Sequence, residues 1–219
     1  MNRPTKIGVF DSGVGGLSVA RAIEKAFPDC EVLLREDRDN LPYGTKTPEQ
    51  LFTLVRPILE DMAQAGCEVI VIACNTVSTN CIEELRAVIH VPLIATEPMI
   101  KSAAEATKTG VIGVFATPAT LRSKRYAWLV ETYAQGKKIV EPDCSQWALM
   151  IEENRVNLDE VERGVQEALS AGVDVLVLGC THYHWIDGLI MRLAGKDVLV
   201  IQPERALLSR LATMLEQQL

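Results

Sequence analysis

Apolar residues along this chain fall into two recurrent patterns. Short runs rich in Val, Ile and Leu predict buried strands at 6–10, 31–35, 69–73, 92–95, 111–115, 174–178 and 197–201. Between them, apolar residues at helical spacing predict helices at 17–27, 79–89, 159–171 and 204–217. A further helix opens at Thr47-Pro48-Glu49, an N-cap followed by proline at the first helical position. Leu51, Val55, Ile58, Leu59 and Met62 supply its buried face, and Pro57 inside it should bend it. Strands and helices alternating in this way predict an α/β fold with mostly parallel sheets.

The pattern is also duplicated. Ala65-Gly66-Cys67-Glu68-Val69-Ile70-Val71-Ile72-Ala73-Cys74-Asn75-Thr76 returns as Ala171-Gly172-Val173-Asp174-Val175-Leu176-Val177-Leu178-Gly179-Cys180-Thr181-His182. Upstream, Ile7-Gly8-Val9-Phe10-Asp11-Ser12 returns at almost the same offset as Ile112-Gly113-Val114-Phe115-Ala116-Thr117. Two similar α/β halves are therefore expected, related by internal duplication. In each, a strand delivers a thiol to its C-terminal end, where open α/β sheets place their ligands. The first half is expected to occupy residues 1–95 and the second 96–199. The segment from about 200 to 219 could return to the first half. No Gly/Ser-rich linker marks the boundary, so the halves should pack closely.

Composition narrows the function classes. With 219 residues, 48% hydrophobic and 23% charged, this is the make-up of a soluble globular protein, and the duplication favours two small units over one large one. A formal charge of −7 argues against nucleic acid and anionic membrane as partners. Met1 to Lys6 lead directly into the first strand, so no signal peptide is expected, and the apolar runs are too short to span a bilayer. A cytoplasmic location follows. The six cysteines form no C-x-x-C pair and several sit inside apolar patterns, the usage of a reduced compartment. Cys30, Cys67 and Cys81 read as small buried hydrophobes.

Three segments could carry chemistry. Asp11-Ser12-Gly13-Val14-Gly15-Gly16-Leu17-Ser18 follows a strand and opens a helix, which mimics a dinucleotide turn with Asp37 downstream. Ser18 stands where the last glycine or alanine belongs, however, and Asp11 would set a carboxylate beside a pyrophosphate. Backbone N–H groups approaching a smaller anion, such as a carboxylate, suit this turn better, with a plain tight turn as the competing reading. Cys180-Thr181-His182-Tyr183-His184 lacks the paired spacing of zinc sites. His182 reads as a proton partner for Cys180, His184 as a neutral surface or packing residue and His90 as structural. Cys74 and Cys180 each precede a helix start, where positive backbone charge lowers a thiol pKa, and Asp11 and His182 offer one polar partner per half.

Taken together, Asp11-Ser12-Gly13-Val14-Gly15-Gly16-Leu17, Pro42-Tyr43-Gly44, Ala73-Cys74-Asn75-Thr76 and Gly179-Cys180-Thr181-His182-Tyr183 resemble the glutamate racemase family, within the cofactor-independent aspartate/glutamate racemase superfamily. The likeness extends to Thr117, Thr120, Ser123, Tyr126 and Glu152. It implies two α/β domains with the active site between them, and an enzyme that interconverts L- and D-glutamate without cofactor or metal, supplying D-glutamate for peptidoglycan. Cys74 and Cys180 would be the paired acid and base, with Asp11 assisting Cys74, and His182 and Glu152 assisting Cys180. Substrate contacts would come from Asp11, Ser12, Tyr43, Gly44, Asn75, Thr76, Thr117, Thr120, Thr181 and His182. The small-molecule substrate would be the main partner, with a homodimer open as the assembly. Arg38 and Asn40 stand where the family carries its usual threonine and arginine, His184 replaces a proline, and Gln202-Pro203 replaces a late Asp-Ser. The alternatives are a racemase or isomerase acting on aspartate or another small acid, and a non-catalytic ligand-binding regulatory protein on the same scaffold.

Overall fold

The computed structural model describes residues 4–216. In chain order the first half comprises β1 (Lys6–Asp11), α1 (Gly15–Ala26), β2 (Glu31–Glu36), α2 (Pro48–Gln64), β3 (Val69–Ile72), α3 (Asn75–Val88) and β4 (Leu93–Ala95). The second comprises α4 (Ile100–Ala106), β5 (Val111–Ala116), α5 (Pro118–Leu121), α6 (Lys124–Tyr133), β6 (Lys138–Val140), α7 (Trp147–Glu152), α8 (Leu158–Ser170), β7 (Val175–Gly179), α9 (Asp187–Ala194) and β8 (Leu199–Ile201). Helix α10 (Glu204–Glu216) follows; position 217 of the expected helix lies outside the described residues.

The strands form two four-stranded sheets, ordered β2-β1-β3-β4 and β6-β5-β7-β8, and every pairing is parallel. The duplicated segments occupy the same places: β1 and β3 are the central pair of one sheet, β5 and β7 of the other. Gly66 and Gly172, equivalent in the repeat, both have positive φ, 86° and 88°, in the turn that leads from a helix to the central strand. That backbone conformation is disfavoured for residues with a Cβ.

Each sheet is covered on both faces, which is why its strands read as continuous apolar runs and not as alternating ones. Phe10, Ile70 and Ile72 pack with Leu51, Val55, Leu59 and Met62 of α2 on one face of the first sheet. On the other face Ile7, Val9, Val69 and Val71 pack with Val19 and Ile23 of α1. Leu207 and Leu211 of α10 are buried in this same cluster, so the C-terminal helix lies on the first sheet. In the second half Phe115, Trp147, Leu176, Leu178 and Tyr183 fill one face, and Ile112, Val114, Tyr126, Leu129 and Val175 the other.

Helix α2 begins with a full capping box. Thr47 Oγ1 accepts from Gln50 N–H, and Gln50 Oε1 accepts from Thr47 N–H. The helix runs through Pro57 without interruption. Helix α3 starts at Asn75, four residues earlier than its pattern indicates, and is irregular at Cys81 (φ −145°, ψ 17°). Cys30 is half-buried, less enclosed than Cys67 and Cys81.

Gly172 has open space where a Cβ would point. Gly172→Ala should therefore lower stability by about 1 kcal/mol through backbone strain alone, read from the urea midpoint at unchanged slope.

Candidate active site

Parallel strands bring their C-terminal ends to one edge, and here the edges of the two sheets face each other. Asp11 ends β1, Cys74 follows β3, Thr117 follows β5 and Cys180 follows β7. Between these ends lies a cleft. Ser12, Tyr43, Gly44, Cys74, Asn75, Thr76, Thr117, Cys180, Thr181, His182 and Glu152 all line it. Asp11 and Thr120 are fully buried behind that wall.

The first half supplies Cys74, whose Sγ lies 3.5 Å from Ser12 Oγ. The cysteine is the N-cap of α3. Burial nevertheless pushes its thiol up to about 12, the Asp11 charge adds to this, and the Ser12 hydroxyl and Val77 N–H oppose it. The expectation that the helix start would lower this pKa is thus reversed: in a dry site, desolvation of the thiolate outweighs two hydrogen bonds. The Asp11 carboxylate is engaged by Gly13 N–H at 3.0 Å and by the Thr181 hydroxyl, which donates to Oδ2 at 2.8 Å. Asp11 therefore holds the second half's turn, and acts on Cys74 through its charge. Burial raises its own pKa, against the His182 charge and those two hydrogen bonds.

The second half supplies a row of three side chains in contact. His182 Nδ1 is 3.8 Å from Cys180 Sγ, and its Nε2 is 2.9 Å from Glu152 Oε2. Burial alone would favour the neutral ring, but the hydrogen bonds to Cys180 and Glu152, with the charges of Cys180 and Asp11, raise His182 to about 10. Burial would also raise Glu152, yet hydrogen bonds from His182 and Val14 N–H and the charges of His182 and Arg38 hold it below its ordinary value. An imidazolium between two acidic partners is the result. Among the described residues no group of three His, Cys, Asp or Glu is placed to hold a metal ion.

Polar side chains complete the walls. Thr76 and Thr117 hydroxyls meet across the cleft at 2.8 Å, and Thr117 donates to Thr120 at 3.0 Å. Tyr43 donates to Asp37 Oδ2 at 2.5 Å, and Asn40 Nδ2 donates to both oxygens of Asp37. Asn40 thus helps to set Tyr43. Asn75 is buried, and both polar atoms of its amide are without a partner among the described residues.

Some residues of the expected set serve structure. Ser123 caps α6, and Tyr126 donates to Glu141 at 2.6 Å. His184 is held neutral by burial, down to about 4, with Nδ1 3.3 Å from Ser18 Oγ. Gln202 Nε2 reaches Asp187 Oδ2 at 3.4 Å. Sequence reasoning missed that Asp37 anchors Tyr43, that Arg38 reaches Glu152, and that Ser145, Gln146 and Leu149 line the cleft. The two latter signals were not available, because they depend on contacts between distant segments. For Asp37 the spacing to Pro42-Tyr43-Gly44 was a usable clue.

Two duplicated α/β halves with a polar cleft between their strand ends form the architecture of an amino-acid racemase. The chain belongs to the Asp/Glu/Hydantoin racemase family, which it matches over residues 7–211. It is 36% identical to a glutamate racemase of Stutzerimonas stutzeri over 97% of this chain and 82% of that protein. It resembles Escherichia coli glutamate racemase, solved with L-glutamate and the activator UDP-MurNAc-Ala, with a TM-score of 0.90 at 29% identity, covering 97% of this chain and 83% of that one. The Francisella tularensis glutamate racemase, solved with D-glutamate, matches with a TM-score of 0.82 at 28% identity, covering 99% of this chain and 83% of that one. Among the described residues no helix is long and apolar enough to cross a membrane.

The raised pKa of His182 has a consequence for stability. Its folded value of about 10 lies above the ordinary 6.5, so the stabilising contribution is complete below about pH 6.5 and is lost as pH rises towards about 10. Glu152→Gln should bring the His182 titration down and flatten that dependence. Nitrogen-15 spectra of the histidine rings, of which the chain has three, together with urea midpoints across that range, measure both.

Proposed function

We propose that this protein interconverts L- and D-glutamate by moving the Cα proton between two cysteines, without cofactor or metal. The observation that carries the reading is the placement of Cys74 and Cys180, buried thiols at equivalent strand ends, on the lining of one cleft. The glutamate racemase relatives name the substrate. Residues 1–95 and 96–199 act as the two half-domains, with α10 returning to the first.

One sulfur, as thiolate, takes the Cα proton and becomes a thiol. The other, as thiol, gives its proton to the opposite face of Cα and becomes a thiolate. Each turnover therefore moves one proton across the site, and resetting it needs exchange with solvent. His182, hydrogen-bonded to Cys180 and Glu152, is placed to serve that exchange on one side, while Ser12 and the charge of Asp11 act on Cys74. The carbanionic intermediate relies on fixed polar groups in a closed site. Asn75, whose amide atoms have no partner among the described residues, and the hydroxyls of Ser12, Tyr43, Thr76, Thr117 and Thr181, with Gly44 leaving room beside them, suit the carboxylates and ammonium of glutamate. Thr120 supports Thr117 from behind. The D-glutamate would feed peptidoglycan synthesis in the cytoplasm, and a homodimer is the assembly in keeping with this reading.

Cys74→Ala and Cys180→Ala should each abolish racemisation while leaving the circular-dichroism spectrum of the fold intact. In D₂O, each enantiomer of wild-type substrate should gain deuterium mainly as it becomes product. The assay is polarimetric, from L-glutamate, D-glutamate and L-aspartate with no added cofactor. Full activity in either variant sinks the two-thiol assignment, and faster turnover of aspartate sinks the substrate.

The halves also carry different helpers, since Asp11 aligns with Ala116 and His182 with Thr76 in the repeat. Asp11→Asn and His182→Asn should bias kcat in opposite directions, while kcat/KM for the two enantiomers stays in the ratio set by their equilibrium. Initial rates from both enantiomers decide this; equal proportional losses in every case would show that neither residue serves one side.

A further inference from the structure

Arg38 occupies a 3₁₀ turn, Arg38–Asn40, directly after β2 of the first sheet. Its Nε lies 3.0 Å from Oε1 of Glu152, which ends α7 in the second half, and 3.6 Å from Glu36 Oε2. The guanidinium side chain is 52% exposed, whereas Glu152 is only 11% exposed. The contact thus runs from an exposed turn of the first half to a nearly enclosed carboxylate of the second, on the lining of the cleft.

Both oxygens of that carboxylate are assigned. Oε2 accepts from Val14 N–H at 2.9 Å and meets His182 Nε2 at 2.9 Å. Oε1 is held by Arg38. The fit around Oε2 is close, since a Cβ on Gly13 would fall 2.3 Å from it. Two of the three attachments, Val14 and Arg38, come from the first half, while the group that Glu152 serves, His182, belongs to the second. The Arg38 turn is itself fixed: Asp37 N–H bonds to Asp11 O, and the Asp37 carboxylate takes Asn40 and Tyr43.

We propose that Arg38 is a positioning residue for the reaction: by ion-pairing from the first half with Oε1 of Glu152 it keeps Oε2 on His182, and so ties approach of the two halves to the proton partner of Cys180. This rests on the reading that Cys180 and His182 carry proton transfer. An exposed ion pair usually contributes little. This one differs because its acceptor is enclosed and because rotation of the carboxylate would cost His182 its partner.

Four ionisable groups face Glu152: Arg38 and Glu36 at the end of β2, Asp11 at the end of β1, and His182 after β7, with Cys180 beyond the ring. Arg38 is the cation among them that comes from the first half. Its removal leaves Glu152 nearer to Glu36 and Asp11 in effect, so protonation of Glu152 becomes easier. The acid limb of kcat should move to higher pH.

The test compares Arg38→Met, Arg38→Lys, Glu152→Gln and the Arg38→Met/Glu152→Gln double variant, with initial rates from both enantiomers of glutamate across the pH range of activity. Arg38→Met should lower kcat about fivefold in the direction that Glu152→Gln impairs more, the effect of an ion pair of up to ~1 kcal/mol. The KM for that enantiomer should fall in step relative to the other, as the equilibrium requires. Arg38→Lys should restore most of the rate and the acid limb. In the Glu152→Gln background Arg38→Met should add nothing, because both act through one carboxylate. The same fold-loss from Arg38→Met in both backgrounds, equal losses in both directions, or an unmoved acid limb would overturn the proposal while leaving the two-thiol reading in place. A wild-type protein that does not racemise, or a Glu152→Gln variant with full activity, would instead overturn the underlying reading and this inference with it.

Discussion

The structure turns on one buried carboxylate. Asp11 is fully enclosed at the end of β1, where an unpaired charge would be costly, and it is satisfied by Gly13 N–H on its own turn and by the Thr181 hydroxyl of the other half. Removing either partner would leave a buried charge short of hydrogen bonds, so the two strand-end turns are held at a fixed separation. Val14 N–H on Glu152, Trp185 Nε1–H on Val14 O and the Thr76–Thr117 hydroxyl pair then extend the same seam around the cleft. The glycines of the first turn allow the backbone to come this close.

Duplication set two thiols opposite each other, but it did not leave the halves electrostatically alike. Cys74 sits beside a carboxylate that opposes its ionisation. Cys180 sits beside an imidazolium, itself held by Glu152. Such inequality is compatible with interconversion of enantiomers, which have equal free energies in an achiral solvent. The equilibrium restricts only the ratio of kcat/KM values, and the individual kcat values are free to differ. A catalyst with unlike halves can therefore favour one resting protonation state without altering the balance it produces.

What the sequence made legible follows from how each signal arises. β1, β3, β5 and β7 are buried on both faces, so they appear as unbroken apolar runs, and the repeat placed Cys74 and Cys180 at equivalent ends. β6, by contrast, has only Ile139 and Val140 as apolar residues, between Lys138 and Glu141, a run too short to stand out. Helices α4, α5, α7 and α9 are eight residues or fewer, and α6 buries only Tyr126 and Leu129, so their periodicity is weak. The start of α3 was hidden because Asn75, Thr76 and Ser78 favour turns in isolation; here they are buried at the cleft, where tertiary contacts override propensity. The site residues near Cys74 and Cys180 were legible as motifs. Arg38 was legible only as a departure, since its partner lies in the other half of the chain.

Asn75 sets a buried amide on the lining of the cleft, at the first turn of α3. A buried amide costs about 1–3 kcal/mol for each group left unsatisfied, and among the described residues neither the donor nor the acceptor of Asn75 has a protein partner. Core packing gains nothing from that arrangement, since an apolar residue of similar size would serve it better. A ligand that carries both a carboxylate and an ammonium group offers partners for the Nδ2 donor and the Oδ1 acceptor together. Water can meet both groups as well, so on the proposed reading the amide favours a ligand with both kinds of group at the right spacing over one that lacks either and leaves an amide atom unpaired. On that reading, its position beside Cys74, at the first turn of α3, brings the amide to the atoms around the reacting carbon.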